Sequence, residues 1–432
     1  MKNLRPYPAY KPTGLAWLPE VPREWEMLRL GMICSQKSIV GQTEKQLLSV
    51  YLNKGVVPFS SVDEKRTNAT SESLDKYQLV EPGDFVLNNQ QAWRGSVGVS
   101  DYEGIVSPAY FVLSVSTRME SRFANYLFRD NYMVSNYVIS SKGIGSIQRN
   151  LDWRMAKDIR VPVPPPAEQE AIVAYLDEKT AKIDRLIELK EREIKLLNEK
   201  KQAVISKVVT RGLDPNAELV DSGVDWIGKV PRGWKVVSLK RVCRLQGGSG
   251  FPVEMQGRYE EAIPFIKVNS LASNVSADRK YDTITIAEAK SLSATIFKKG
   301  SIVFAKVGAA LLLHRFARLP FDCCIDNNMM GTVEINSDPE WLRYTMSLLN
   351  FNYFVNPGAV PSVNQSQVSS MKIPLPSLPE QREIVAYLDA EGAKTDKAIA
   401  AVTRQIGLLK EYRTRLISDA VTGRIDLRKA VA

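Results

Sequence analysis

Two stretches of the sequence place apolar residues alternately three and four positions apart, and each stretch follows a proline-rich run. The runs are Pro164-Pro-Pro166 and Pro376-Ser-Leu-Pro379. Proline ends extended segments and is tolerated in a first helical turn, so each run predicts the start of a helix. The alternating spacing is that of a coiled-coil seam. The predicted seam positions are Ile172, Leu176, Ile183, Ile187, Ile194, Leu197 and Val204 in the first helix and Ile384, Leu388, Ile399, Val402, Ile406, Leu409 and Leu416 in the second.

Each predicted helix needs a partner. A helix of about 40 residues is roughly 60 Å long, and it cannot bury its own apolar stripe. We expect the two helices of this chain to pair in antiparallel orientation, and the alternative is pairing with another chain. Polar or small residues interrupt both seams at equivalent places: Thr180 matches Gly392, and Lys201 matches Arg413. Such residues can fix the register, or they can mark places where the seam splays.

The two helices belong to a longer internal repeat. Residues 161–177 return as residues 373–389, and the same offset carries Val209-Thr210 onto Val421-Thr422 without a gap. A repeat period near half the chain length indicates duplicated half-molecules rather than a solenoid of short units.

Each half also begins with a matching pair of tryptophans. Trp17 and Trp25 correspond to Trp226 and Trp234, and Val-Pro-Arg precedes the second tryptophan of each pair. Each half therefore consists of a short Trp/Pro segment, a dissimilar region and a long helix.

The dissimilar parts are a first region, from about 35 to 150, and a second region, from about 244 to 362. Short runs such as 84–87, 110–113 and 301–304 are typical of strands. We predict a mixed α/β (α+β) fold with a pseudo-twofold internal repeat, in which two globular domains are separated by two long antiparallel coiled-coil helices. The predicted boundaries are 1–160 and 214–372 for the domains and 161–213 and 373–432 for the helical segments.

Composition limits the class of protein. The chain has 432 residues, of which 44% are hydrophobic, enough for two or more cores. It shows no charged-then-apolar leader and no apolar run near the length of a membrane span, so we expect a cytoplasmic protein. The net charge of +10 suits nucleic acid, although an acidic membrane or protein partner would also fit.

Cysteine and histidine usage gives no sign of a metal site. None of the four cysteines, Cys34, Cys243, Cys323 and Cys324, stands in a C-x-x-C pair, and the single His314 cannot complete a zinc set. We expect reduced, buried thiols and no bound metal.

Motifs for catalysis are also missing. The sequence has no Asn/Asp-Pro-Pro-Tyr/Phe string for amino-group methylation and no phosphate-binding G-x-x-x-x-G-K-[ST] loop. Glu188-Leu-Lys190 fits the E-x-K of many nucleases, but it lies on the first predicted helix and is interpreted as solvated helix surface. One histidine without a surrounding motif cannot be assigned to a catalytic triad.

The repeated proline run, Glu-Gln and long helix resemble the specificity (S) subunit of Type I restriction–modification systems. The motif stands as Val163-Pro-Pro-Pro-Ala-Glu-Gln169 and Leu375-Pro-Ser-Leu-Pro-Glu-Gln381, and the resemblance covers about 14 to 426. Residues 84–98 and 104–110 are similar to one class of target recognition domain in this family, whereas the second region carries a more generic pattern.

The resemblance implies a non-catalytic subunit in which each target recognition domain reads one half of a split double-stranded DNA target. It implies that the helices act as a ruler and dock two methylation subunits. The gapless match of the two helices leads to the hypothesis that the domains reach major-groove sites about one helical turn, roughly 34 Å, apart. Restriction subunits would join through this methylase core. S-adenosylmethionine, ATP and Mg are implied only for the partner subunits. The alternatives are a stand-alone basic coiled-coil scaffold without DNA specificity and a nuclease fused to a recognition module.

Polar residues on the predicted loops are the candidates for DNA contact. Base edges in the major groove are read by Arg, Lys, Asn, Gln and Ser, and phosphates are contacted by Lys and Arg. The first-region candidates are Gln90, Gln91, Arg94, Ser96, Lys142, Ser146, Gln148, Arg149 and Asn150. The second-region candidates are Arg244, Gln246, Ser249, Arg258, Lys267, Asn269, Lys306, Arg315, Asn364 and Gln365. For each residue, a phosphate contact or a solvated surface position is the alternative. Trp93 is expected to pack rather than to stack on a base.

Overall fold

The chain folds into two compact units. The computed structural model describes residues 5–52, 54–61, 73–143, 149–273, 275–349, 351 and 360–428. Unit 1 combines Met1–Glu191 with Thr403–Ala432, and unit 2 is the continuous segment Arg192–Val402. Each unit therefore contains one globular part together with segments of both long helices.

The first half of the chain is a series of short strands and helices that ends in a long helix. Its strands are β1 (Tyr10–Leu15), β2 (Leu18–Pro22), β3 (Glu26–Arg29), β4 (Cys34–Lys37), β5 (Leu48–Tyr51), β6 (Gly55–Pro58), β7 (Gln78–Val80), β8 (Phe85–Asn88), β9 (Val97–Val99), β10 (Gly104–Val106), β11 (Tyr110–Val115), β12 (Ser141–Lys142), β13 (Asn150–Leu151) and β14 (Arg160–Val163). Its helices are α1 (Leu30–Ile33), α2 (Ser121–Phe128), α3 (Asn131–Ile139), α4 (Trp153–Ala156) and the long α5 (Pro166–Arg211).

The second half has the same plan. Its strands are β15 (Leu219–Asp221), β16 (Lys229–Pro231), β17 (Lys235–Ser238), β18 (Cys243–Gly247), β19 (Ile263–Ile266), β20 (Asp282–Ile284), β21 (Ile302–Ala305), β22 (Phe316–Arg318), β23 (Cys324–Ile325), β24 (Met329–Ile335) and β25 (Lys372–Leu375). Its helices are α6 (Ile286–Ser291), α7 (Ala309–Leu312), α8 (Pro339–Ser347), α9 (Gln365–Ser370) and the long α10 (Leu378–Val421).

The two globular parts share a topology although their sequences differ. Unit 1 contains a four-stranded antiparallel sheet in the order β4-β11-β8-β9, and unit 2 contains one in the order β18-β24-β21-β22. The last strand before each long helix pairs with an early strand, β14 with β3 and β25 with β17. The duplication inferred from the helices thus extends through both dissimilar regions.

The strands predicted at 84–87, 110–113 and 301–304 are present, but two of them are buried on both faces rather than on one. In β8, Phe85 and Leu87 face a core that contains Phe128, while Val86 faces a second cluster with Val112. In β21, alternate residues likewise enter two different clusters. A sheet covered on both sides gives continuous apolar runs instead of an apolar/polar alternation.

The predicted antiparallel pairing of the long helices is confirmed. In unit 1, Arg413 Nε lies 2.8 Å from Asp184 Oδ1, and Lys410 Nζ lies 3.9 Å from Glu191 Oε1. Because the later residue of α5 pairs with the earlier residue of α10, the two helices run in opposite directions. The helices begin at the predicted proline runs, and all fourteen predicted seam residues are buried or half-buried.

The polar interruptions of the seam form equivalent ion pairs. Lys201 Nζ donates to Asp396 Oδ1 at 2.6 Å in unit 2, and this pair corresponds under the repeat to Arg413 with Asp184 in unit 1. Exposed ion pairs typically contribute about 0–1 kcal/mol, so their main effect is on register rather than on stability.

The second tryptophan of each half attaches to the glutamate of the repeated Glu-Gln. Trp25 Nε1 donates to Glu168 Oε1 at 3.1 Å, and Trp234 Nε1 donates to Glu380 Oε1 at 3.2 Å. Trp25 is fully buried, and the hydroxyl of Tyr7 donates to the same Glu168 carboxylate. These contacts explain why tryptophan and glutamate recur together in the two halves.

Each long helix ends at a glycine that packs on the Trp/Pro segment of its unit. Gly212 and Gly423 both have φ of +72°, which side chains other than hydrogen rarely allow. A Cβ on Gly423 would lie 2.3 Å from Pro22 Cδ, whereas a Cβ on Gly212 would lie 3.2 Å from the Trp234 ring. A side chain therefore has less space at Gly423, after α10, than at Gly212, after α5.

We predict that Gly423→Ala destabilises the protein more than Gly212→Ala does. Both changes place a side chain at positive φ, which costs about 1–2 kcal/mol. Gly423→Ala adds an overpacking cost of about 1–3 kcal/mol against Pro22. Calorimetric unfolding of the two variants beside the wild type measures the difference, and equal losses would contradict the predicted clash.

Candidate nucleic-acid interface

Most of the first-region candidates that the structure describes lie on or next to two neighbouring surface segments. One is the loop from 88 to 95, which follows β8, and the other is the β12–β13 pair. The backbone N–H of Leu151 donates to the carbonyl of Asn89 at 3.1 Å, which ties the segments together. Lys142 and Asn150 face each other across the strand pair. The structure thus brings together candidates that are far apart in sequence.

Trp93 holds two arginines at this surface. The Arg94 guanidinium carbon lies 4.6 Å from the centre of the indole ring, and that of Arg149 lies 5.7 Å away. The indole Nε1 donates to the Gln90 carbonyl at 3.0 Å, which fixes the ring on its own loop. Trp93 packs against these guanidinium groups. Cation–π contacts of this kind orient the planar charge and limit its rotamers.

Most of the remaining first-region candidates are accessible. Gln90, Arg94, Lys142 and Asn150 are exposed, and Gln91 and Arg149 are half-buried. Lys142 Nζ donates to Asp152 Oδ2 at 2.6 Å. This hydrogen bond is the main reason why the pKa of Asp152 falls to about 2.

One first-region prediction is corrected, and two lie beyond the described chain. Ser96 is only 5% exposed, and its hydroxyl donates to the Val50 carbonyl at 2.7 Å, so it cannot face a base. This hydrogen bond lies inside the domain because the chain turns inward at β9. Ser146 and Gln148 lie outside the described residues.

Four second-region candidates meet at one surface. The side-chain amide of Gln365 donates to the Leu245 carbonyl at 2.8 Å, beside Gln246. The Val363 N–H donates to the Lys306 carbonyl at 3.0 Å. These bonds join β18, the segment after β21 and the start of α9, and they bring Gln246, Lys306, Asn364 and Gln365 together. Asn364 also caps α9 by accepting from the N–H of Gln367.

Two second-region candidates form ion pairs within their own domain. Arg258 Nη2 donates to Glu288 Oε1 at 2.9 Å, and Lys267 Nζ lies 2.7 Å from Asp282 Oδ2. Both cations are half-buried and hold elements of this domain together.

The other second-region candidates lie elsewhere on this domain. Arg244 is exposed and pairs with Glu334 at 2.8 Å. Ser249 follows β18, Asn269 lies in the short helical turn Val268–Ser273, and Arg315 precedes β22.

The glutamine of the repeated Glu-Gln and the aspartate that closes the repeated block attach each long helix to its domain, a role that their residue types alone do not predict. Gln169 is fully buried and Gln381 is 3% exposed, although both are polar residues at the start of a helix. Asp177 and Asp389 each accept a hydrogen bond from a tyrosine of the adjoining domain. The signal that could have found them was their identical recurrence in both halves.

No other functional centre stands out in the described residues. Within them, no group of three or more His, Cys, Asp or Glu could hold a metal ion. All four cysteines are free and buried, and burial raises the pKa of the Cys34 and Cys243 thiols to about 12. Over the same part of the chain, no helix combines the length and apolar character needed to cross a membrane.

Comparison with known proteins identifies the family. A family model described as "Type I restriction modification DNA specificity domain" matches residues 22–199 and again residues 231–406. The Type I restriction enzyme MjaVIII specificity subunit of Methanocaldococcus jannaschii is 24% identical over 437 residues, covering 94% of each chain. The EcoDI specificity subunit of Escherichia coli is 22% identical, covering 93% of this chain and 90% of the relative.

A solved structure has the same fold over nearly the whole length. It comes from a study of complex assembly and conformational transition of the type I R-M system, and it matches with a TM-score of 0.67 at 18% identity. The match covers 93% of this chain and 98% of that one. With two copies of the family's domain in one chain, this protein belongs to the Type I restriction–modification DNA specificity family.

Proposed function

We propose that this chain is the DNA-recognition subunit of a Type I restriction–modification complex. Each recognition domain, 1–160 and 214–372, reads one half of a bipartite target. The helical segments 161–213 and 373–432 set the distance between the halves and bind two methylation subunits. The chain itself carries out no catalysis, and it acts in the cytoplasm, where the DNA is.

The observation that supports this proposal is a shared frame with different surfaces. The two domains have one sheet topology and one mode of attachment to the long helices. Their polar surfaces differ: a Trp93–Arg94–Arg149 cluster in the first and a Gln246–Lys306–Asn364–Gln365 cluster in the second. Direct readout assigns different donors and acceptors to different bases, so different clusters suit different half-sites.

The chemistry of methylation, ATP use and cleavage belongs, in this proposal, to the partner subunits. S-adenosylmethionine binds the methylation subunits, and ATP and Mg bind subunits of the restriction machinery that join through them. The net charge of +10 supports the DNA-binding role because neutralising phosphates releases counterions.

Exchange of the first region tests the proposal directly. Residues 35–150 are replaced by the corresponding region of a relative, and methylated adenines are mapped in cells that carry the methylation subunits. We expect a bipartite motif in which only one half changes, because each domain reads separately. A change in both halves, or methylation without a bipartite motif, would argue against the assignment.

Arg94→Lys is expected to weaken recognition of the first half-site about 5- to 150-fold, equivalent to the ~1–3 kcal/mol of a base-specific contact. Lysine keeps the charge but cannot reproduce the planar guanidinium that stacks on Trp93. The matched control is Arg29→Lys in the same unit, an exposed arginine that pairs with Asp158 at 3.3 Å and is no candidate for DNA contact. Binding of the assembled complex to DNA with an intact or scrambled first half-site measures both effects. If Arg94→Lys binds the intact first half-site as tightly as the wild type does, Arg94 is not part of the DNA interface.

Two exposed leucines at equivalent positions are the strongest candidates for contact with the methylation subunits. Leu196 of α5 is 56% exposed, and Leu408 of α10 is 55% exposed. They correspond under the repeat, as two sites for two identical subunits require. Burying a leucine contributes about 1.5–3 kcal/mol, enough for each to act as a binding anchor.

We therefore expect Leu196→Asp and Leu408→Asp each to reduce the number of bound methylation subunits from two to one, and the double variant to bind neither. Native mass spectrometry of the reconstituted complex gives the stoichiometry. Lys397→Glu, at another exposed position of α10, serves as the charge control and should leave the stoichiometry unchanged. Two bound subunits in the double variant would place the docking surface elsewhere.

A further inference from the structure

The first helix after each central sheet has an N-terminus that is completed by a residue of the long helix. In α2, the N-cap is Glu120, whose carboxylate accepts from the Phe123 N–H at 2.6 Å. In α8, the N-cap is Asp338, whose carboxylate accepts from the Trp341 N–H at 3.1 Å. In a capping box, the side chain of the residue at N3 accepts a hydrogen bond from the backbone N–H of the N-cap residue. Here N3 is a buried aromatic residue and cannot do so.

A glutamine from the long helix supplies the missing acceptor in both units. Gln169 Oε1 accepts from the Glu120 N–H at 2.7 Å, and Gln381 Oε1 accepts from the Asp338 N–H at 2.8 Å. The capping box is therefore shared between two elements, the domain helix and the long helix. Because both glutamines are buried, loss of either bond would leave an unsatisfied polar group, which costs more than the bond contributes.

The amide nitrogen of each glutamine fixes its orientation. Gln169 Nε2 donates to the carbonyls of Arg118 at 3.0 Å and Pro164 at 2.9 Å. Gln381 Nε2 donates to the carbonyl of Pro376 at 3.0 Å. A side chain held at both ends of its amide can transmit the position of the long helix to the domain helix.

A second bond follows two turns later on the long helix. Tyr126 Oη donates to Asp177 Oδ1 at 2.8 Å, and Tyr344 Oη donates to Asp389 Oδ1 at 2.7 Å. Burial and the hydrogen bond to Asp389 raise the pKa of Tyr344 to about 12, so the hydroxyl keeps its proton at neutral pH. The glutamine and aspartate of each helix are roughly 12 Å apart along its axis. Two contacts at that separation fix the direction of the domain helix as well as its position.

Both domains supply the same partners although their sequences differ. Each places an acidic residue at the N-cap and a tyrosine at position N6 of the helix: Glu120 and Tyr126 in one, Asp338 and Tyr344 in the other. General packing against a helix can be achieved by many apolar combinations, whereas the glutamine–N-cap and aspartate–tyrosine hydrogen bonds recur in both units.

We propose that these two contacts form an orientation latch, which consists of the Gln–N-cap and Asp–Tyr bonds of each unit. The latch residues are positioning residues: they set the angle of each recognition domain on the long helix and thereby restrict the distance between the half-sites. The inference rests on the proposed function. It adds a rule for domain exchange, because an incoming domain must bring an N-cap N–H that can donate to the glutamine and a tyrosine at N6 to be held at the same angle.

The test compares latch variants with a matched variant inside the domain. Tyr126→Phe with Gln169→Ala opens the latch of unit 1, and Tyr344→Phe with Gln381→Ala opens that of unit 2. The milder single variants Tyr126→Phe and Tyr344→Phe cover the case in which a double variant does not fold. The control is Tyr137→Phe, which removes a tyrosine hydroxyl bond to the Phe128 carbonyl within the first region. Each is assembled with the methylation subunits and assayed on the mapped target with its natural spacer and with one base pair added or removed.

In the latch variants, the preference for the natural spacer over altered spacers should be about tenfold smaller than in the wild type. This factor corresponds to one hydrogen bond to a charged group. Base preference within each half-site should stay the same. Tyr137→Phe should lower the unfolding temperature yet keep the wild-type spacer preference. Latch variants that are destabilised but retain full spacer discrimination would overturn the proposal. If the wild-type complex methylates no bipartite motif, the proposed function fails, and the spacing proposal fails with it.

Discussion

The burial of two amphipathic stripes is the constraint on which the whole chain depends. Neither α5 nor α10 can hide its apolar face alone, and each is the partner of the other in antiparallel orientation. The pairing forces the last helix of the chain back onto the first domain, where Leu416 and Val421 join the same core as Trp25 and Ile172. The globular parts then need only a common way of attaching to the fixed pair of long helices, which forms the frame of the chain.

That attachment explains the pattern of similarity between the two halves. Residues that contact the frame recur, such as the Glu168 and Glu380 carboxylates on their tryptophans, while residues on the outer loops do not. The sheets tolerate this divergence because strand order and burial, rather than residue identity, determine how they pack. The residues that recur in the two halves therefore include those through which each domain contacts the long helices.

The long helices, their starts and the short strands were predictable from the sequence, because spacing and proline placement act locally, and the internal repeat favoured the antiparallel orientation of the helices. The shared topology of the two regions was not, since pairings such as β8 with β11 depend on partners distant in sequence. The candidate interface was predictable only in part. Composition identifies a polar residue but not its partner, so the exposed Arg94 could not be told from Ser96, whose hydroxyl donates inward to the Val50 carbonyl.

The division into units has a consequence for biosynthesis. Unit 2 is one continuous segment, Arg192–Val402, whereas unit 1 requires Thr403–Ala432 to cover the core begun by the first domain. Chains emerge from the ribosome N-terminus first, and domains usually fold in that order. The half made first therefore keeps part of its apolar surface uncovered until the last long helix has been synthesised and has packed against it.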